Sequence, residues 1–162
     1  MRSTWSIALV WGLVLLLIYF GFTQFIAHQY HPQMQISQSG QQREITLTRA
    51  KDGHYRLAAQ MNGEPVVLLL DTGATAMTIN QALAERIGLV KGEQFIANTA
   101  NGPVQGYQSV LDSLIFGPFE FKNVPIGVVP NLGDEVLLGM NIIKHFDIRT
   151  QNNQMHMKLI EK

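Results

Sequence analysis

Asp71, Thr72, Gly73 and Ala74 follow directly on Val66-Val67-Leu68-Leu69-Leu70, a continuous apolar run. Such a run predicts a strand buried on both faces. A carboxylate at the end of a buried strand is costly unless it is hydrogen-bonded or takes part in chemistry. A plain turn is the competing reading, because Asp accepts from neighbouring amides and Gly takes positive φ. Other chemistries find little support. The chain has no cysteine, which excludes disulfides, thiolate metal sites and a cysteine nucleophile. His145 could pass for a general base, yet no serine or cysteine stands beside it in a recognisable nucleophile setting. The histidines (His28, His31, His54, His145 and His156) are scattered. His28 and His31 could share a helix face, but no third ligand is near them, so no metal is expected. Asp147, after the apolar Ile142, Ile143 and Phe146, reads as a helix-end or surface residue.

The elements that must position Asp71 are mostly strands. Ile45 and Leu47 alternate with Thr46 and Thr48, Lys51-Asp52-Gly53-His54 supplies turn residues, and Tyr55 to Gln60 resumes the strand. Asn62-Gly63 is the strongest hairpin signal, since both residues tolerate positive φ. Asn80 predicts the N-cap of a short helix, Gln81 to Ile87, with Gly88 placed for a left-handed C-cap. Phe95 to Gln108 contains Asn101-Gly102-Pro103 and Gly106, a hairpin with a mobile tip. Leu111 to Phe121 and Val124 to Val129 are strand candidates, broken at Gly117-Pro118 and Lys122-Asn123. A second short helix is expected from Met140 to Phe146, and a last hairpin turns at Gln151-Asn152-Asn153 and ends in Met155 to Ile160. Many short strands with two short helices predict a mainly β domain, closed or folded over on itself.

The 162 residues suit one such domain with an appendage. Lysine plus arginine and aspartate plus glutamate are equal at 12 each, and no basic cluster occurs, so nothing points to a nucleic-acid partner. The appendage is the apolar stretch from Ile7 to Ile26, within a segment that carries no Asp, Glu, Lys or Arg between Arg2 and Arg43. About twenty helical residues cross a bilayer core, which predicts a transmembrane anchor over 1–27. Trp5 and Trp11 toward one end, with Tyr19, Phe22 and Phe25 toward the other, suit the interface zones. A cleaved signal peptide would have a shorter apolar core and a small-x-small cleavage site, whereas this run leads into Thr23-Gln24-Phe25-Ile26-Ala27-His28. Arg2 and the α-amino group precede the span, so the N-terminus is expected in the cytoplasm and the rest across the membrane. In a bacterial cell that is a single-pass inner-membrane protein with a periplasmic domain. Residues 28–42, polar and rich in Gln and Ser, read as a linker, and the folded domain is expected over 43–162.

The stretch VVLLLDTGATAMTI (66–79) resembles the catalytic strand and loop of retropepsin-like aspartic peptidases, in which hydrophobic residues precede Asp-Thr-Gly-Ala. A second signature of that family is an apolar pair, then Gly, then a short helix. Val136-Leu137-Leu138-Gly139-Met140-Asn141 is similar to it, about sixty-five residues downstream. Between them, Ala100-Asn101-Gly102-Pro103-Val104-Gln105-Gly106 lies where the family carries its glycine-containing flap. The resemblance spans Ile45 to Ile160 and excludes the apolar N-terminal stretch, although bacterial membrane-bound members of the clan are similar even to that extent.

The resemblance implies a single-lobe acid-protease β-barrel with one or two short helices, here preceded by the expected transmembrane helix. It also implies a mechanism in which two carboxylates share one proton, one acting as base on a water while the other polarises the scissile carbonyl. Asp71 would be the catalytic aspartate. Thr72 would hydrogen-bond across the pair, Gly73 would allow close backbone approach, and Ala74 would pack beside the loop. Asn101, Gly102, Pro103 and Val104 would form the flap over substrate, and Leu138 and Gly139 the active-site floor. Asp112 and Asp134 are not framed as catalytic loops, so the second carboxylate would be Asp71 of another copy in a symmetric homodimer. Confinement to a membrane would favour that dimer. The expected substrate is an extended peptide or protein segment, and no metal or organic cofactor is implied. A non-catalytic peptide-binding or assembly module that keeps the fold is the rival function, and a structural β domain whose Asp-Thr-Gly is only a turn is the third.

Overall fold

The computed structural model describes residues 4–30, 34–39, 42–99 and 102–160, in two compact units, Met1–His31 and Pro32–Lys162. The first unit is helix α1, Thr4–Tyr30. Its described side chains, those of 7–23, include Leu9, Val10, Trp11, Leu13, Leu15, Leu17, Tyr19 and Phe22, all exposed. Among the described residues, no helix is long and apolar enough to cross a membrane. The transmembrane helix expected over 1–27 is therefore not found among the described residues.

The second unit is mainly β. A hairpin, β1 (Met34–Ser39) with β2 (Gln42–Thr48), joins a second hairpin, β10 (Phe146–Gln151) with β11 (Gln154–Leu159), to make a sheet of order β1-β2-β11-β10. The remaining strands are β3 (Arg56–Met61), β4 (Glu64–Leu70), β5 (Met77–Asn80), β6 (Gln94–Thr99), β7 (Gly102–Phe116), β8 (Phe119–Val129) and β9 (Val136–Leu138). They form a sheet of order β3-β4-β9-β5-β8-β7-β6 that closes on itself through β3–β7 pairing. Helix α2 (Gln81–Arg86) lies between β5 and β6 of this sheet, and α3 (Met140–Ile143) leads from β9 to β10 of the other. The core lies inside this closed sheet and against the inner face of the other. Leu57, Met61, Leu68, Met77, Ile79 and Leu138 from the first and Ile45, Leu47 and Met157 from the second are fully enclosed.

Local chemistry sets most boundaries. Asn62 and Gly63 take φ of 47° and 87° in the β3–β4 turn, as the Asn-Gly pair predicts. The Asn80 side chain accepts from the Leu83 amide at 2.7 Å and caps α2, and Gly88 beyond it has φ 72°. Asn152 and Asn153, both left-handed, turn β10 into β11.

Several expectations give way to tertiary pairing. Met34–Ser39, inside the expected linker 28–42, is a strand because β2 offers it a full ladder, Met34↔Leu47 through Ser39↔Gln42. Strand β4 is buried alternately and not on both faces: Leu68 and Leu70 are enclosed, Val66, Val67 and Leu69 half-exposed. Lys122-Asn123 does not break β8. Asn123 takes φ 51° and the ladder to β7 continues on both sides of it. Helix α3 ends at Ile143 and not at Phe146, whose ring joins Phe116, Phe119 and Phe121 in a cluster with centroids 4.9–6.0 Å apart. Asp147 is accordingly an exposed residue of β10, 3.3 Å from Arg149.

Candidate active site

The site is built where β9 wedges between the two strands that carry the Asp71 loop. Strand β4 runs parallel to β9, with Leu68↔Val136, Leu69↔Leu137 and Leu70↔Leu138 paired. On the other side Leu137 pairs with Thr78 of β5. The chain from β4 to β5 must therefore cross the end of β9, and it does so through residues 71–76. The crossing is tight. A Cβ at Gly139 would lie 2.4 Å from the carbonyl carbon of Ala76, 2.5 Å from its oxygen and 2.9 Å from the oxygen of Ala74. Only glycine leaves room for the loop there.

Hydrogen bonds then fix the loop onto β9 and α3. The Asp71 amide donates to the Leu138 carbonyl at 3.1 Å, and the Met140 and Asn141 amides donate to the carbonyls of Ala74 and Thr75 at 2.8 and 3.1 Å. Within the loop, Ala74 N donates to Asp71 O at 3.2 Å. The Gly73 amide donates to Asp71 Oδ1 at 2.8 Å, so the loop orients its own carboxylate. Asp71 and Ala74 are half-buried, whereas Thr72 and Gly73 are exposed at the tip. The result is an oriented carboxylate on a well-braced loop that faces outward.

Leu138 and Gly139 thus meet Asp71 as one unit. Gly102, Pro103 and Val104 lie elsewhere, at the far end of the β6–β7 hairpin, paired with Thr99, Asn98 and Ala97. Among the described residues no hydrogen bond ties them to the 71–76 loop; Asn101 lies outside the described residues, as does His31. A cavity of about 380 Å³ opens at the base of this hairpin, lined by Gln81, Lys91, Gln94, Gln105, Tyr107 and Pro130 among others, and it does not include Asp71. Burial there, with Glu85 adding to it, raises the pKa of the Tyr107 phenol. Among the described residues, no cluster of His, Asp and Glu could hold a metal.

Two positioning groups were not legible beforehand. Asn141 Oδ1 accepts from Met77 N at 2.8 Å and its Nδ2 donates to Pro125 O at 2.9 Å, linking α3, β5 and β8. Arg56, 9% exposed, pairs with Asp52 at 2.7 Å and with Glu135, the residue before β9. The Arg56 guanidinium holds the Asp52 carboxyl well below the usual carboxylate range, against the opposing effect of burial. Asn141 carried no signal beyond its place after Leu-Leu-Gly; a lone charge at the head of an apolar strand was the available hint for Arg56.

A family model described as "gag-polyprotein putative aspartyl protease" matches residues 57–145, which hold the loop, the hairpin and the Leu-Leu-Gly crossing. The chain belongs to this retropepsin-like family. The chain is 31% identical over 117 residues to an uncharacterized protein in the cobV 5' region of Sinorhizobium sp, covering 70% of this chain and 50% of that protein. It is 30% identical over 106 residues to an uncharacterized protein of Rickettsia prowazekii (strain Madrid E), covering 64% of this chain and 46% of that one. This chain spans about half the length of these curated relatives. The crystal structure of a retropepsin-like aspartic protease from Rickettsia conorii superposes with a TM-score of 0.60 over 80% of this chain and 96% of that one, at 23% identity. That likeness establishes the retropepsin-like fold of the β unit.

Proposed function

We propose that the protein is a membrane-attached aspartic endopeptidase whose dyad is Asp71 from each of two copies. The observation that carries this reading is the Asp71 loop itself. Its carboxylate is oriented by Gly73 N, half-buried, and set on a loop whose tip faces outward, while each chain supplies one such loop. A second copy related by a two-fold axis would bring a like carboxylate to it. Two carboxylates brought side by side would retain one proton between them. The ionised one takes a proton from a water, whose oxygen bonds to the scissile carbonyl carbon, and the protonated one donates to the carbonyl oxygen. Collapse of the tetrahedral intermediate breaks the C–N bond and transfers a proton to the leaving nitrogen. The β6–β7 hairpin, with Gly102, Pro103 and Val104 near its tip, would cover an extended peptide and pair with its backbone.

Attachment to a membrane through α1 is supported by the absence of Asp, Glu, Lys and Arg between Arg2 and Arg43 and by the exposed apolar side chains of 7–23. With Arg2 inside, the β unit lies on the outer face of the inner membrane of a bacterium.

The test is to incubate the full-length protein and its Asp71→Asn variant with a diverse peptide pool between about pH 3 and 7. Cleavage by the wild type alone, with specific activity rising with protein concentration, is the expected result. Absence of cleavage at concentrations where the wild type is demonstrably dimeric would overturn the reading in favour of a peptide-binding module.

A further inference from the structure

Glycine inside a strand weakens it and marks a place where something approaches closely. Gly106 on β7 and Gly127 on β8 are such residues, and neither has a positive φ that would call for glycine. Space is what they supply. A Cβ at Gly106 would lie 2.4 Å from the Val128 carbonyl oxygen and 3.2 Å from Phe95 Cε1. One at Gly127 would lie 3.1 Å from Phe95 Cζ, 3.6 Å from Phe95 Cε1 and 3.6 Å from Thr78 Oγ1. A single ring therefore lies over both glycines.

Its position in the ladder gives that contact a consequence. Phe95 pairs with Gly106 across the hairpin, and Gly127 pairs with Thr78 on β5, the strand that leaves the Asp71 loop. The ring thus reaches from the outermost strand, across β7, to β8 at the residue that pairs with β5. Behind Phe95 the hairpin is tied down, since Gly92 N donates to Gln108 O and Gln108 N donates to Glu93 O, each at 2.8 Å. Beyond Phe95 support falls away: Ile96 is 71% exposed, and Asn98, Pro103 and Gln105 are exposed.

We propose that Phe95 anchors the β6–β7 hairpin, a positioning residue that sets the height of the substrate cover above the Asp71 loop and confines bending to the pairs from Ile96↔Gln105 to Thr99↔Gly102. This rests on the reading of that hairpin as the cover over a bound peptide. Loss of the ring moves the pivot back to Gly92–Gln108, so the cover closes less well on a peptide while the loop that does the chemistry is untouched.

The test uses the full-length chain, amide hydrogen exchange, and steady-state kinetics on a peptide recovered from the pool described above. Phe95→Ala is expected to accelerate exchange over 94–108 by about tenfold or more. It should raise KM about five- to tenfold with kcat within about twofold, and Phe95→Leu should recover most of both effects. Gly127→Ala displaces the ring by tenths of an ångström and gives a smaller change in the same segment, a readout that survives if Phe95→Ala does not fold. Exchange over 94–108 that is unchanged in Phe95→Ala and Gly127→Ala would overturn the proposal, as would acceleration spread equally into β10–β11. Exchange that responds as expected in a protein that hydrolyses nothing, wild type included, supports the anchor and counts against the peptidase reading alone.

Discussion

Asn141 Oδ1 accepts the Met77 amide at 2.8 Å, so the short helix after β9 holds the first residue of the strand that leaves the Asp71 loop. The same side chain donates to Pro125 O at 2.9 Å. Truncation leaves an amide and a carbonyl without their partner, and an unsatisfied group of this kind costs about 1–3 kcal/mol. Asn141→Ala is expected to lower the unfolding free energy read from urea denaturation by that amount and to reduce peptide hydrolysis. Asn141→Asp keeps the acceptor and should lose less.

Gly139 has backbone in front of it. The nearest atoms to an added Cβ are the carbonyl carbon and oxygen of Ala76 at 2.4 and 2.5 Å, which cannot turn aside as a side chain would. Gly139→Ala must therefore displace the 71–76 loop. We expect a loss of about 1–3 kcal/mol in stability, typical of overpacking. Hydrolysis should fall by about a hundredfold or more, because a displaced catalytic group loses alignment. Both are read from one purified variant, by denaturation and by the peptide assay.

A dyad shared between copies makes one defective copy enough to silence a site. With the wild type held constant, excess Asp71→Asn protein should suppress hydrolysis. When equal amounts of the two exchange freely, activity per dimer should fall to about one quarter. Activity that tracks the amount of wild type regardless of added variant would mean that each chain carries its own complete site.

The Asp52–Arg56 pair predicts the sign of one pH effect. The folded-state pKa of Asp52 is depressed, chiefly by the Arg56 hydrogen bond. Its contribution to stability is therefore fully present above the unfolded-state value of about 3.9 and is lost as pH falls below it toward the folded value. The stability difference between wild type and Asp52→Asn should be constant above about pH 5 and shrink through about pH 4 to 3, which denaturant titrations across that range would measure.

Strands β2 and β1 together cover the β7–β8 turn. A Cβ at Gly117, where φ is 52°, would lie 2.8 Å from Ile45 Cγ2 and 3.7 Å from Met34 Sδ. Gly117→Ala combines a left-handed backbone with overlap, and about 1–3 kcal/mol of destabilisation is expected. A chain begun at residue 40 lacks β1 and bares the edge of β2. It should unfold at lower urea and associate more readily than one begun at Pro32, as sedimentation would show.

Punctuation was legible because it is local. Asn62-Gly63, the Asn80 cap, Gly88 and Asn152-Asn153 act within a few residues of themselves, and all appear in the structure as their chemistry predicts. Strand β1 was hidden for the opposite reason. Met34-Gln35-Ile36-Ser37-Gln38-Ser39 has little apolar drive of its own and becomes a strand through its ladder with β2. Likewise Phe146 leaves the expected helix because three phenylalanines from the β7–β8 region offer its ring a place.

For the candidate site, the sequence by itself determined that a carboxylate stands at the end of an apolar strand, followed by a small, permissive turn, with Leu-Leu-Gly some sixty-five residues on. It could do so because residue type, burial pattern and turn chemistry are short-range properties. Only the tertiary structure decided that β9 inserts between β4 and β5, that the Asp71 loop crosses Gly139, and that Asn141, Arg56 and Phe95 brace the neighbourhood. Those relationships join residues far apart in the chain, and their partners are selected by closure of the sheet around one core, which no local pattern encodes.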